Sequence, residues 1–152
     1  MRFKYMFLGI LIMILVTSIG AIAAADDYES VGDYTFDIPD GYQVVDKDDV
    51  SVGMELDENH TVLVYQLDGA SDINFFKSML EAAGCEFGDA QELKVGNFEA
   101  TQSTYKFDET QGYFYICSDG GKPIVVADGM TGSEELPAVE LSPAYQVVNS
   151  LE

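Results

Sequence analysis

Apolar and polar residues alternate with a period of two along most of this chain, and a helical period breaks the pattern at residues 72–83. Tyr34, Phe36 and Ile38 alternate with Thr35 and Asp37 until Pro39 stops the run. Tyr42 to Val45 reads as a short second strand after the Asp40-Gly41 turn. Val50, Val52, Met54 and Leu56 then alternate with Ser51, Gly53 and Glu55, and Thr61 to Leu67 returns after the polar turn Asp57-Glu58-Asn59-His60. Alternation sends successive side chains to opposite faces of a strand, so these runs predict half-buried strands, the last two forming a hairpin.

Past Ser71, which has N-cap chemistry, Ile73, Phe76, Leu80 and Ala83 recur at helical spacing, supported by Phe75 and Met79. Gly84 stands where a helix C-terminal cap would. The helix has a broad apolar face and must lie on a sheet. Strands return at 93–95, 98–107, 113–117 and 124–127, with turns at 108–112 and 118–121. Asp119-Gly120-Gly121 between two apolar runs is a strong hairpin signal. Ser142-Pro143 opens a closing helix whose buried face is Val147, Val148 and Leu151. The order is four strands, a helix, four strands and a helix. Short turns imply antiparallel pairing, and blocks of strands with covering helices imply an α+β domain built on a mostly antiparallel sheet.

At the N-terminus, Arg2 and Lys4 precede an apolar run from Phe7 to Val16, and small residues lead to Ala23-Ala24-Ala25. This is the plan of an export signal cut after Ala23 or Ala25. The uncharged stretch from Phe7 to Ala25 is also close to the roughly 20 residues that cross a bilayer, so retention as an N-terminal anchor is the alternative. Both place residues 26–152, a single domain in size, outside the cytoplasm. The protein is thus expected to be secreted, or tethered to the cell membrane through residues 1–25.

All 27 acidic residues fall beyond Ala25 with only Lys47, Lys77, Lys94, Lys106 and Lys122, which leaves that part at −22. Such a charge excludes nucleic acid and anionic lipid surfaces, both of which need clustered Lys and Arg. It suits cations, basic proteins, or a solvated acidic coat. Cys85 and Cys117 are the two cysteines; outside the cell they are free to form a disulfide or to stay as separate buried thiols.

The stretch Tyr34-Thr35-Phe36-Asp37-Ile38-Pro39-Asp40-Gly41-Tyr42 resembles the opening motif of the PsbP-like α/β sandwich group. The helix after the fourth strand, the meander from Phe98 to Ala127 and a last helix ending in Asn149-Ser150-Leu151 are similar to that group as well. The resemblance spans nearly all of residues 30–152. It implies a single-domain sandwich, and exported members of the group are commonly non-enzymatic accessory or binding domains.

Catalytic motifs do not follow. His60, the one histidine, falls in a polar turn; with Cys85 and Cys117 it makes no zinc spacing, and no phosphate-cradling glycine loop occurs. No cofactor is therefore expected, and a small hydrolase using two carboxylates is the weakest reading. Calcium, which takes several hard oxygen ligands, is the more physical alternative. Its candidate ligands are Asp46, Asp48 and Asp49, with Asp57 and Glu58 across the hairpin, and Glu134-Glu135 near Asp128 as a second cluster. Asn59-His60-Thr61 is an N-glycosylation sequon in a predicted turn. Tyr113 and Tyr115 share a strand face with Cys117, which makes that face either core or an aromatic binding surface. The leading expectation is a non-catalytic binding or accessory domain for an extracytoplasmic protein or cation, acting through its sheet surface or acidic loops. A calcium-dependent structural protein is the alternative.

Overall fold

The computed structural model describes residues 27–132 and 135–152; the expected export segment, residues 1–25, and Glu134 lie outside the described residues. Tyr28–Val31 (β1) and Tyr34–Asp37 (β2) form an antiparallel ribbon of their own. Eight further strands form one sheet: Gln43–Lys47 (β3), Ser51–Asp57 (β4), His60–Gln66 (β5), Glu86–Phe87 (β6), Gln91–Val95 (β7), Phe98–Phe107 (β8), Thr110–Ser118 (β9) and Ile124–Thr131 (β10). Their order is β3-β4-β5-β10-β9-β8-β6, with β7 also paired to β8. Every ladder is antiparallel, as the short turns require. Among the described residues two α-helices complete the fold, Asp72–Ala82 (α1) and Pro143–Asn149 (α2).

The fold is α+β, in three layers. Alternation along β9 and β10 sorts their side chains to opposite faces. Tyr113, Tyr115, Cys117, Ile124 and Val126 face a core shared with Val31, Phe36, Val62, Val64, Ala144 and Val147, beneath the β1–β2 ribbon and α2. Phe114, Ile116, Val125 and Ala127 face a second core closed by Phe76 and Leu80 of α1. Phe76 stacks between Tyr65 and Phe114 there. Each fully buried Val or Phe contributes about 1.5–3 kcal/mol, so neither face can be left open to water.

The sequence reading holds for most elements, and its misses have physical reasons. β1 and β6 carry no readable period: one is a four-residue ribbon strand, the other two residues at a sheet edge. The expected turn at 108–112 contracts to Asp108-Glu109, and β9 begins at Thr110 and runs through Gly112. Ser71 does not cap α1 with its side chain, because its own backbone is already helical. Phe75 supports no core: it is 64% exposed, pointing away from the sheet that Phe76 and Leu80 pack against. The α1 C-terminus ends as expected, with Gly84 at φ 107 and Cys85 N–H returning to the Leu80 carbonyl. α2 starts as expected too, its Ser142 Oγ accepting from Tyr145 N at 3.1 Å, with Pro143 in the first turn. The chain closes on itself where Glu152 and Thr35 exchange backbone hydrogen bonds at 3.0 Å each.

Candidate functional site: a buried carboxylate between strand and helix

Asp128 is the residue that departs most from sequence expectation. Its even-numbered position in β10 turns it toward the same core as Ile124 and Val126, and it is 6% exposed. Here the β9–β10 ladder is interrupted: Ala127 pairs with Phe114 and Met130 with Gln111, but no partners are formed between them. The Asp128 side chain fills the gap. Its Oδ1 accepts from Tyr113 N at 2.7 Å, and its Oδ2 accepts from Ala144 N, in the first turn of α2, at 3.2 Å. From the opposite face, the Tyr105 hydroxyl donates to the Asp128 carbonyl at 2.7 Å. One residue thereby ties together β8, β9, β10 and α2.

The surroundings are rich in phenols. Burial, and then the Asp128 charge, raise the proton affinity of Tyr42, Tyr105, Tyr113 and Tyr115. The Tyr113 hydroxyl donates to the Pro137 carbonyl at 2.6 Å, which fastens the segment leading to α2. The Tyr115 hydroxyl is fully buried and makes no well-formed hydrogen bond among the described residues, although the nearby Ser142 side chain favours its charged form. Burial pushes Asp128 itself up to about 6, against the pull of the Tyr113 and Ala144 N–H groups and the Ser142 hydroxyl, which favour its charged form. Chemically this is a carboxyl whose charged form burial disfavours, while both of its oxygens accept from backbone amides. Its role in the geometry is a clamp.

An open groove of about 490 Å³ lies at the β8–β9 turn, lined by Lys106, Asp108, Glu109, Gln111 and Gly132.

The residues singled out from sequence are not brought together. Asp46 lies in β3; Asp48 and Asp49 form the β3–β4 turn, where Asp48 Oδ1 accepts from Val50 N and Ser51 N, each at 2.8 Å. Asp57 and Glu58 lie at the far end of β4, about 20 Å away at strand rise. Asp57 Oδ1 accepts from Asn59 N at 2.9 Å and lies 2.7 Å from His60 Nδ1, whose hydrogen bond holds Asp57 below the usual carboxylate range. The Asp48 and Asp57 carboxylates thus serve their own turns, and among the described residues no group of three or more His, Cys, Asp or Glu could hold a metal ion. Of the second acidic cluster, Asp128 is buried and Glu135 is exposed. Cys85 and Cys117 are unpaired and buried in cores on opposite faces of the sheet, which stands between them. Burial pushes the Cys85 thiol up to about 11 and the Cys117 thiol to about 12. Tyr113 and Tyr115 are 7% and 0% exposed, so they are core and offer no docking surface. Asn59 is exposed in the β4–β5 turn.

The signal that could have found Asp128 was its phase. An acid in step with Ile124 and Val126, followed by Gly129-Met130, continues a strand. The Gly129-Met130 pair reads as a break only if the acid is assumed to be solvated.

Fold and site together define an α+β domain whose open antiparallel sheet is covered on both faces and locked by a buried aspartate. A solved structure from Bacteroides thetaiotaomicron VPI-5482 is similar in fold, with a TM-score of 0.55 and 11% sequence identity over 85% of this chain and 48% of that one. The chain spans about half the length of that protein, and at such identity the likeness concerns the fold alone. No family model matches the chain, and no curated protein matches it in sequence. No described helix is long and apolar enough to cross a membrane.

Proposed function

We propose that this is an extracytoplasmic, non-catalytic binding or accessory domain with a PsbP-like sandwich fold, and that it docks a basic protein partner through the outer side of α1. The observation that carries this reading is Phe75. It is 64% exposed on a helix whose other aromatic, Phe76, is buried, and it belongs to a chain of net charge −20. Met79 and Ala82 follow it at i+4 and i+7, extending an apolar stripe beside Asp72. A partner that meets this surface needs an apolar pocket with a basic rim, and charge complementarity would speed its approach at low salt. Asp128 and Ser142, by contrast, are engaged in the fold, Asp128 on two backbone amides and Ser142 on the α2 cap.

Phe75→Ser should leave stability within about 0.5 kcal/mol, as exposed substitutions do. It should abolish stoichiometric capture of a basic protein from the extracytoplasmic fraction, and 0.5 M salt should weaken capture by the unchanged chain. Equal capture by the variant and the unchanged chain would refute the α1 surface.

The acidic turns call for a separate check. Melting in calcium, magnesium and sodium chloride matched for ionic strength is expected to raise the midpoint equally, because all three screen the same self-repulsion. A rise confined to calcium and lost in Asp46→Asn would instead make these turns a cation site.

A further inference from the structure

We propose that Asn59 is the acceptor of an N-linked glycan on the β4–β5 turn, an inference that rests on the extracytoplasmic reading above. Asn59-His60-Thr61 supplies the acceptor amide, a residue other than proline, and the hydroxyl two places on. The structure presents that triplet in a usable form. Asp57 Oδ1 accepts from Asn59 N, and the Asn59 carbonyl accepts from Thr131 N, each at 2.9 Å. The backbone is pinned on both sides, while among the described residues the Asn59 carboxamide makes no hydrogen bond. His60 is drawn back onto Asp57 and leaves the acceptor uncovered. Leu56, Asp57 and Glu58 around it are all exposed, so a bulky hydrophilic group meets no packed neighbour.

The transfer uses a lipid-phosphate-linked oligosaccharide as co-reactant. Asn59 Nδ2 forms a bond to C1 of the first sugar as the C1–O bond to phosphate breaks. The phosphate leaves with that bonding pair, and Nδ2 gives one proton to a base of the membrane transferase. No oxidation or reduction occurs.

The test is peptide mass analysis of the full chain isolated from the cells that make it, with protease added to intact cells to report its location. Trypsin releases residues 48–77, between Lys47 and Lys77, as one peptide containing Asn59. This peptide should carry a carbohydrate mass in the unchanged chain and in Thr61→Ser, which keeps the hydroxyl. It should be bare in Asn59→Gln and in Thr61→Val. A bare peptide from a chain that external protease reaches would overturn Asn59 as the acceptor and leave the exported reading standing. A bare peptide from a chain that external protease cannot reach would overturn both. A sugar that persists in Asn59→Gln sits elsewhere and overturns the assignment as well.

Discussion

Asp128→Ala is expected to cost about 4 kcal/mol at pH 4 but only about 1 kcal/mol at pH 7, measured by urea unfolding at each pH. The acid-side loss comes from orphaning the Tyr113 and Ala144 N–H groups, at about 1–3 kcal/mol for each buried donor left unmade. The pH dependence comes from the proton. Burial lets the folded carboxyl titrate near 6, whereas an unfolded aspartate titrates near 4. Between those values the folded state holds a proton that the unfolded state has released, so stability falls as pH rises through the window. A gap of about two pH units amounts to about 3 kcal/mol, and the alanine variant has no such dependence. The two stability curves should therefore converge toward neutral pH. A difference that stays constant from pH 4 to pH 7 would mean Asp128 ionises like an exposed acid, and its role as a buried proton holder would be lost.

Gly112→Ala should lower the melting midpoint by about 12 °C, from about 3 kcal/mol of overpacking at roughly 4 °C per kcal/mol for a domain of this size. A Cβ at Gly112 would stand 2.0 Å from the Asp128 carbonyl oxygen and 2.8 Å from its carbon, both backbone atoms that cannot swing away. The strands would have to separate where Tyr113 N reaches the Asp128 carboxylate. Gly69→Ala is the control, since its Cβ would meet only ordinary contacts, the nearest at 3.8 Å. If the two variants melt together, β9 and β10 are looser at this point than their packing indicates.

Much of the fold was legible because local chemistry and global packing agree. Asp119-Gly120-Gly121 makes its hairpin, Ser142-Pro143 starts its helix, Gly84 ends one, and Val52-Met54 and Val62-Val64 pair across β4 and β5. Composition does not reveal which apolar residue is left outside: Phe75 and Phe76 are chemically identical, and only the angle at which α1 meets the sheet separates them. Asp128 was illegible for a different reason. A charged residue near the end of an apolar run looks like the start of a loop, until Tyr113 and Ala144, distant in sequence, supply the donors that let it stay inside. The turn acids erred the other way: proximity in sequence suggested a cage, but β4 carries Asp48 and Asp57 to its opposite ends.

The two back-to-back cores leave β9 and β10 with an ambiguity in how they align. In a sheet with one wet face, sliding a strand by one residue turns its oily side to water, and that penalty fixes the alignment. Here Tyr113, Tyr115 and Cys117 on one side and Phe114 and Ile116 on the other would simply trade one apolar layer for another. Oil against water is nearly silent as a code for these strands. What distinguishes the correct alignment is a lock and key of two residues. Gly112 is the notch that accepts the Asp128 backbone, and Asp128 is the single charged tooth, which a one-step slide would swing away from its two amides and into the phenylalanine layer. The residue least suited to an oily interior is thus the one that tells the interior which way round to assemble.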